Sequence, residues 1–344
     1  MSYSIPNEIQ NCIDAGSENC PCYLATTGDC LTCSRLQGKD YCDCNWKGVC
    51  IYNEYIQGNR KVTNPRKDFE APIAQIKFYK NDLVVYALNV GKGFAIKSSR
   101  PGSYVFIKNC ESSSFYEVPI SIMKADIEKG QIYLAIKIIS AKTKALTLEK
   151  NKFIIRGIYR NGILGMPSIM QKKQANQKIL IITKGIGIAP GILATQYLSH
   201  KRRVDMLIDT DKISKELISD YFKTNVDLET DKNDNKEDVD GIIKYMDFAE
   251  ISALTEFKDI LEKNKYDGVL ILTSDYYIDT FGKLVIETLP NANLAISNNF
   301  HLCCGEGLCG SCSFVTVKGD TLKMCKCQLS GEEFLEKRGI INLE

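Results

Sequence analysis

The feature that most constrains this sequence is a cysteine- and glycine-rich loop near its C-terminal end. The run Cys303–Cys312 contains the pattern C-G-x-G-x-C-x-x-C, and Cys325 follows shortly after a stretch with strand character at 314–317. An iron–sulfur cluster needs several thiolates around one small inorganic core, so the loop that carries them must curl tightly. Three glycines allow this curl because they can adopt positive φ without a Cβ clash: Gly305, Gly307 and Gly310.

This spacing predicts one [2Fe–2S] cluster with four cysteine ligands: Cys304, Cys309, Cys312 and Cys325. Zinc is the alternative, because four thiolates also form a tetrahedral zinc site. Zinc sites of this kind usually contain two short C-x-x-C pairs, whereas the first gap here is longer and rich in glycine, which favours the cluster. We interpret Cys303 and Cys327 as neighbouring thiols rather than ligands.

A second group of cysteines lies within the first fifty residues. Eight are separated by glycine, aspartate and asparagine, with little apolar periodicity: Cys12, Cys20, Cys22, Cys30, Cys33, Cys42, Cys44 and Cys50. Such a segment can bury little apolar core, so we expect a bound metal to order it. The prediction is a second iron–sulfur cluster or a zinc site, with these candidate ligands: Cys20, Cys22, Cys30, Cys33, Cys42, Cys44 and Cys50. Trp46, the only tryptophan, is expected to pack this segment.

Composition excludes several classes of protein. The chain has 344 residues, enough for two or three domains, and a formal net charge of +2 gives no bias towards nucleic acid or a membrane surface. Neither a signal peptide nor an apolar run long enough to span a bilayer is evident, so we expect a cytoplasmic protein. The 15 cysteines are an odd number without a secretion signal, which argues against a disulfide framework. Cluster ligation in a reducing, oxygen-poor cytoplasm of an anaerobe is the better interpretation.

Two regions of different periodicity lie between the cysteine groups. From Ala71 to about Gly157, short β-rich runs separated by turn residues predict a small antiparallel barrel. From Lys178 onwards, apolar strands alternate with helices, which predicts a doubly wound parallel sheet. Its first strand runs into G-I-G-I-A-P-G at 185–191, and strand, glycine turn and helix together are typical of a phosphate-binding nucleotide site. The polar stretch Asn225–Asp240 is predicted to be a solvated loop.

The expected fold is therefore a multidomain α+β protein. We predict a cysteine-rich metal segment at 1–57, a flavin-binding β-barrel at 70–157, a nucleotide-binding α/β domain at 177–298 and a [2Fe–2S] domain at 299–344. This order of domains resembles the electron-transfer subunit of NAD-dependent dihydroorotate dehydrogenase, within the ferredoxin–NADP reductase superfamily. It is also similar to the small subunits of sulfide dehydrogenase and of NADH-dependent ferredoxin–NADP oxidoreductase. The cysteine-rich N-terminal segment lies outside this resemblance.

The resemblance implies bound FAD and a pyridine nucleotide. Pro101-Gly102-Ser103-Tyr104-Val105 resembles the family's P-G-Q-F-V strand entry. The implied FAD residues are those at the family's R-P-x-S strand, the next strand and its G-T turn: Val118, Pro119, Ile120, Ser121, Ala135, Ile136, Lys137, Lys142 and Thr143. The implied NAD(P) residues are those of the glycine loop: Gly185, Gly187, Ala189 and Pro190.

Three single residues and one run of three residues depart from the family pattern. Val118 replaces the arginine that contacts the flavin phosphates, which removes a planar and permanently charged donor. Lys142 replaces the glycine before Thr143, and Lys184 replaces a glycine at the dinucleotide loop. Thr273-Ser274-Asp275 stands where the family has Cys-Gly-Pro near the nicotinamide.

Two functions of different classes follow. In the first, the chain is an oxidoreductase subunit that passes electrons between NAD(P)H or ferredoxin and a partner flavoprotein, through FAD and the [2Fe–2S] cluster. The implied partner resembles the catalytic subunit of dihydroorotate dehydrogenase or the small subunit of glutamate synthase. No acid–base constellation stands out, and electron transfer needs none. In the alternative, the chain is a scaffold or single-electron relay whose nucleotide sites have degenerated and whose metals are structural.

Overall fold

The computed structural model describes residues 12–80, 82–112, 117–171, 177–209, 211, 215–222 and 241–342. These residues form two compact units. The first unit contains the described residues up to Lys67 together with Phe300–Leu329. The second contains Asp68–Asn299 and the described residues from Ser330 onwards. The two cysteine-rich segments, far apart in sequence, thus belong to one unit.

Strands and helices of the described residues are numbered here in chain order. The strands are β1 (Asp68–Tyr79), β2 (Leu83–Asn89), β3 (Tyr104–Asn109), β4 (Val118–Asp126), β5 (Gln131–Lys137), β6 (Lys152–Tyr159), β7 (Ile163–Leu164), β8 (Lys178–Thr183), β9 (Arg203–Asp209), β10 (Ile243–Met246), β11 (Gly268–Leu272), β12 (Asn293–Ser297), β13 (Ser313–Val315) and β14 (Thr321–Lys323). The α-helices are α1 (Tyr23–Thr27), α2 (Ile51–Gln57), α3 (Lys92–Ser98), α4 (Ala141–Leu146), α5 (Met166–Gln171), α6 (Ile188–Leu198), α7 (Lys215–Tyr221), α8 (Ala253–Asn264), α9 (Asp275–Thr288) and α10 (Gly331–Lys337).

The first half of the second unit is a closed antiparallel barrel with the strand order β1-β2-β5-β4-β3-β6. Alternate residues of each strand point inwards, as the two-residue period of a strand requires. In β2 these include Val84, Tyr86 and Leu88, and the ring of Tyr86 meets Phe153 edge to face at 5.1 Å. The predicted barrel is confirmed. Its helices α3 and α4 were not predicted, because each is too short to show a helical period.

The second half is a six-stranded sheet with the order β10-β9-β8-β11-β12-β7. Five strands are parallel and only the short edge strand β7 is antiparallel to its neighbour. The predicted parallel α/β sheet is confirmed, with β7, β10 and α8 as elements that the sequence pattern did not reveal. Helix α9 begins at Asp275, directly after Ser274, whose backbone is extended. The loop predicted at 225–240 lies outside the described residues.

The first unit has little regular structure, as the sparse apolar pattern predicted. Its small N-terminal core consists of Ala25, Cys33, Leu36, Ile51 and Tyr55, and Trp46 packs against it. Strands β13 and β14 form a hairpin between Cys312 and Cys325. Among the described residues, no helix is long and apolar enough to cross a membrane.

The barrel core generates a stability prediction. Phe153 is fully buried, so Phe153→Ala should lower the free energy of unfolding by about 3–5 kcal/mol through lost burial and a residual cavity. Phe78, also in the barrel but 64% exposed, is the matched control, and Phe78→Ala should change it by about 0.5 kcal/mol or less. Urea denaturation followed by far-UV circular dichroism measures both. Equal effects of the two substitutions would contradict the barrel core described here.

Candidate functional site

The second unit contains a cavity of about 670 Å³. This size is typical of a site for a small molecule or cofactor. One wall comes from barrel strands β4 and β5, and the opposite wall from the loops that follow β8 and β11. In the sheet, β9 lies on one side of β8 and β11 lies on the other, so the direction in which the chain adds strands reverses at β8. Open α/β sheets bind ligands at this reversal, outside the carboxyl ends of the strands.

Most of the residues predicted to bind flavin line this cavity. Seven of them do so: Val118, Pro119, Ile120, Ser121, Ala135, Lys137 and Thr143. Ile136 does not, because its side chain alternates with those of its neighbours on β5 and is buried in the barrel core. Lys142 is likewise not part of the cavity wall. The ammonium of Lys142 therefore does not replace the positive charge of the arginine that the resemblance implies at position 118.

Thr143 has a structural role that the sequence did not suggest. It is the third residue of α4, and its hydroxyl forms a capping box with Ser140. The Thr143 Oγ1 accepts hydrogen bonds from the N–H groups of Ser140 at 3.0 Å and Ile139 at 3.1 Å. The predicted G-T turn is thus the first turn of a helix, and Thr143 sets the position of that helix end at the cavity wall.

The predicted dinucleotide loop lies on the opposite wall. Gly187, Ala189 and Pro190 line the cavity, at the N-terminal end of α6. A Cβ at Gly187 would collide with the carbonyl oxygen of Leu272, so glycine is required for the loop to approach β11. Gly185 is not in the cavity wall, but it has a φ of +58° and open space around it. The N-terminal end of α6, where its dipole is positive, therefore lies at the cavity. The first N–H groups of this end are engaged within the preceding turn, because the Gly187 N–H donates to the carbonyl oxygen of Lys184 at 3.2 Å and the Ile188 N–H donates to that of Gly185, and Pro190 has no N–H.

Lys184 spans from this loop to the end of β9. Its ammonium lies 2.6 Å from the fully buried carboxylate of Asp209, and it also lies over the ring of Tyr277 at 5.2 Å. Burial by itself would lower the pKa of Lys184, but the hydrogen bond and charge of Asp209 raise it above its ordinary value. Asp209 additionally accepts hydrogen bonds from the N–H groups of Asp211 at 2.7 Å and Phe248 at 2.9 Å. In dinucleotide-binding folds, an acidic residue at this strand end binds a ribose hydroxyl. Here the corresponding carboxylate, that of Asp209, is already bound to Lys184 and to two backbone N–H groups.

Sequence reasoning missed the part of the cavity formed after β12. Ser297, Asn298 and Asn299 line it. The Asn299 amide donates to the carbonyl oxygen of Thr273 and to the Asp275 carboxylate, both at 2.8 Å. These contacts fix the Thr273-Ser274-Asp275 segment. The position of 297–299 directly after an apolar parallel strand was the available signal.

In the first unit, the C-terminal cysteine loop has the curled backbone that its glycines predicted. Gly305, Gly307 and Gly310 have φ of +71°, +78° and +74°, which confirms that prediction. The Glu306 N–H donates to the Cys304 sulfur at 3.3 Å, and the Cys325 N–H donates to the Cys312 sulfur at 3.4 Å.

The four predicted [2Fe–2S] ligands interact with one another through their side chains. Cys304 interacts with Cys325 and Cys309, and Cys312 interacts with Cys325. The hydrogen bond from Cys325, aided by the N–H groups of Cys309 and Glu306, lowers the pKa of the Cys304 thiol. Cys303 is exposed and also contacts Cys309, whereas Cys327 is fully buried.

The N-terminal cysteines separate into groups. Cys20, Cys22 and Cys30 line a small cavity together with Cys12, which was not among the candidate ligands. Cys42 and Cys44 lie apart from that cavity with their sulfurs 3.7 Å from each other, Cys33 is buried in the small core, and Cys50 is exposed. Among the described residues, no three His, Cys, Asp or Glu side chains converge closely enough to be ligands of a single ion.

A buried network of four charges joins the two cysteine segments. The Lys326 ammonium is fully buried and lies 2.7 Å from the Asp14 carboxylate and 2.8 Å from that of Glu306. Arg66 donates to both oxygens of Asp14, at 2.7 and 3.1 Å, and lies 3.4 Å from Glu306. Buried charges of this kind are tolerated only when they are paired and hydrogen-bonded. Burial alone would raise the pKa of Asp14, yet Lys326 and Arg66 lower it to about 2.

No protein-family profile matches the sequence. An uncharacterised protein encoded in the adh 3′ region of Clostridium beijerinckii is 24% identical over 267 residues, which cover 73% of this chain and 80% of that protein.

Solved structures are similar to this chain as well. A chain of NADH-dependent reduced ferredoxin–NADP oxidoreductase, described in a study of flavin-based electron bifurcation, superposes with a TM-score of 0.56 at 17% identity, over 78% of this chain and 92% of that one. The ferredoxin–NADP⁺ reductase of Plasmodium falciparum reaches a TM-score of 0.46 at 13% identity, over 64% and 93% of the two chains. The first of these superpositions shows that the barrel and the sheet share the fold of that chain.

The buried charge network generates a prediction. Lys326→Ala leaves Asp14 and Glu306 with only Arg66 as a buried counter-charge, so it should lower the free energy of unfolding of the first unit by about 3–5 kcal/mol. The nearby Lys323 forms only a 3.7 Å pair with the exposed Asp29, and Lys323→Ala should cost less than about 1 kcal/mol. Trp46, the only tryptophan, lies in this unit, so its fluorescence during urea denaturation measures both effects. If Lys326→Ala lowers the free energy of unfolding no more than Lys323→Ala does, the buried network does not stabilise the first unit.

Proposed function

We propose that this chain is an iron–sulfur flavoprotein subunit that transfers electrons. It would exchange electrons with ferredoxin or NAD(P)H and with a partner flavoprotein, which carries out the substrate chemistry. The observation that supports this most is the cavity in which seven of the nine predicted flavin residues face the predicted dinucleotide loop. A partner resembling the catalytic subunit of dihydroorotate dehydrogenase or the small subunit of glutamate synthase remains part of the proposal.

The residues of the cavity fit a flavin dinucleotide. Its barrel wall offers apolar side chains from Val118, Pro119 and Ala135, against which a flat aromatic ring can pack while water is excluded. Lys137 supplies a positive charge on the same wall, and the positive end of the α6 dipole lies at the opposite wall, where it favours a diphosphate. These groups offset the arginine that is absent at Val118.

Bound FAD would supply the step between a two-electron hydride donor and one-electron carriers. The chain itself contributes orientation and electrostatics rather than proton transfer. Ser121 offers a hydroxyl for hydrogen bonding in the cavity, and Asn298, whose amide donates to the carbonyl oxygen of Asn161 at 2.7 Å, also lines it. In the first unit, we propose that Cys304, Cys309, Cys312 and Cys325 hold the [2Fe–2S] cluster. The N–H groups directed at the cysteine sulfurs would stabilise its negative charge.

A second candidate function is a relay that accepts electrons one at a time and does not oxidise NAD(P)H. The ion pair between Lys184 and Asp209 favours it, because this carboxylate has no remaining role in binding a ribose while the pair is intact. The alternative expected from sequence, a scaffold or single-electron relay whose flavin and nucleotide sites have degenerated, differs from this second candidate in containing no flavin. Measurements of flavin content and of nicotinamide binding therefore separate the three.

The flavin assignment predicts the effect of a charge placed in the cavity. Ser121→Glu adds bulk and a negative charge to the wall facing an anionic dinucleotide, so flavin retained per chain should fall at least about tenfold. Ser252→Glu, an exposed position in the same unit that is not part of the cavity, should retain flavin at the wild-type level. Flavin released by denaturation is measured by absorbance. Iron content should be unchanged in both variants, and unchanged flavin in Ser121→Glu would refute the assignment.

The ion pair predicts a gain of nicotinamide binding. Lys184→Gly releases the Asp209 carboxylate, and one new charge-assisted hydrogen bond to a ribose hydroxyl should tighten NADH binding by about tenfold. Lys184→Arg keeps the ion pair and should bind NADH as the wild type does. Anaerobic titration with NADH, followed by bleaching of the flavin, measures the affinity. Equal affinity in the glycine and arginine variants would show that the ion pair does not close the site, and tight NADH binding by the wild type would exclude the relay.

A further inference from the structure

The small cavity in the first unit has a wall of unusual composition. Four of the residues that line it are cysteines of the N-terminal segment: Cys12, Cys20, Cys22 and Cys30. Its other wall residues are mainly apolar, among them Ala15, Leu24, Ala25 and Ile51. Four thiols around a largely apolar cavity form a complete ligand set for a metal cluster, whose surroundings also limit the access of water.

Local structure holds these four cysteines in place. Cys12 forms an antiparallel bridge with Cys327, and Cys22 lies at the N-terminal end of α1. The carbonyl of Cys30 accepts a hydrogen bond from the Gln37 amide at 2.6 Å. Leu24 and Ile51, both almost fully buried, close the apolar side. The other N-terminal cysteines do not belong to this wall, so the cavity selects four ligands out of eight.

We propose that Cys12, Cys20, Cys22 and Cys30 bind a second iron–sulfur cluster, separate from the cluster on the C-terminal loop. This revises the ligand set expected from sequence in two ways. Cys12 joins the set, and Cys33, Cys42, Cys44 and Cys50 leave it. Four cysteine thiolates can hold either a [2Fe–2S] or a [4Fe–4S] core, and the proposal here is the [4Fe–4S] core, in which each thiolate binds a different iron.

The backbone places this site close to the C-terminal cysteine loop. Cys12 pairs with Cys327, which is two residues from Cys325, and the Ile13 N–H donates to the carbonyl of Lys326 at 2.9 Å. Strand spacings then put the Cα atoms of Cys12 and Cys325 within about 12 Å of each other. Leu24, a wall residue of the cavity, also lies 3.0 Å from the position that a Cβ on Gly307 would occupy. The two clusters would therefore be close enough to exchange single electrons and to couple magnetically.

The buried charge network lies between the two sites. Asp14 belongs to the wall of the N-terminal cavity, and its partner Lys326 lies between Cys325 and Cys327. One positive charge of Lys326 and one of Arg66 face two carboxylates, so the network fixes the two segments together without a net charge. Its role here is to position the cysteines rather than to bind the cluster.

The experiment uses the full chain, produced and purified without oxygen, with iron, acid-labile sulfide and zinc measured on one sample. The wild type should contain about six irons per chain, four from one cluster and two from the other. Cys12→Ser and Cys30→Ser should each lose about four of these while keeping the electron paramagnetic resonance signal of the reduced [2Fe–2S] cluster. That retained signal also shows that the variants are folded. Cys50→Ser, an exposed cysteine of the same segment outside the cavity, should keep all the iron.

The electron paramagnetic resonance signal of the reduced wild type should also be broadened by magnetic coupling between the two clusters. The signal of reduced Cys12→Ser should be narrower, because that variant lacks the second cluster. If the wild type contains about two irons and one zinc per chain, the N-terminal cysteines bind zinc and the proposed second cluster is refuted. Unchanged iron in Cys12→Ser and Cys30→Ser would refute the ligand set. Because flavin is measured separately, a chain with six irons and no flavin would refute the proposed function and leave this proposal intact.

Discussion

The arrangement of the first unit depends on the burial of one ammonium group, that of Lys326. A lysine with no exposed surface is stable only if carboxylates compensate it, and the two that do so come from opposite ends of the chain, Asp14 and Glu306. Satisfying Lys326 thus requires the N-terminal segment to lie against the C-terminal cysteine loop. The apolar core of the N-terminal segment is limited to the small cluster around Ile51. The charge pairs fix how the two segments meet, and in our proposal bound clusters supply stabilisation that a hydrophobic core gives in larger domains.

The second unit combines a well-formed fold with an altered ligand site. Its barrel and sheet have complete apolar cores, and the cavity lies at the point of the sheet where α/β proteins bind ligands. Within that cavity, two charges differ from what the family resemblance implies. Val118 offers no cation to a phosphate, and Lys184 engages the Asp209 carboxylate. In our proposal, these two differences alter the affinity for nucleotides, whereas the apolar cores of the barrel and the sheet are unaffected by them.

Much of the architecture could be predicted from sequence because it depends on periodicity. Residues 179–182 form a continuous apolar run, which is the pattern of a strand buried on both faces, and the barrel strands are bounded by clear turn residues. Elements of few residues, such as α4 and β7, carry too little pattern to be recognised. The predicted FAD residues could be chosen only through the family resemblance. Ile136 shows the limit of that resemblance, because side chains alternate along a strand and that of Ile136 points into the barrel core rather than the cavity.

The sequence by itself determined the fold class, the curl of the cysteine loop and the presence of two thiol-rich segments, because these follow from local spacing and from the conformational freedom of glycine. Only the tertiary structure decided which cysteines meet. Cys12 lies in one cavity with Cys20, Cys22 and Cys30, whereas Cys33, which is much closer to Cys30 in the sequence, does not line that cavity. It also decided that Lys184 is paired with Asp209, 25 residues away. Both depend on contacts between segments distant in sequence, which are fixed by the burial of charge and apolar surface in three dimensions rather than by any local pattern.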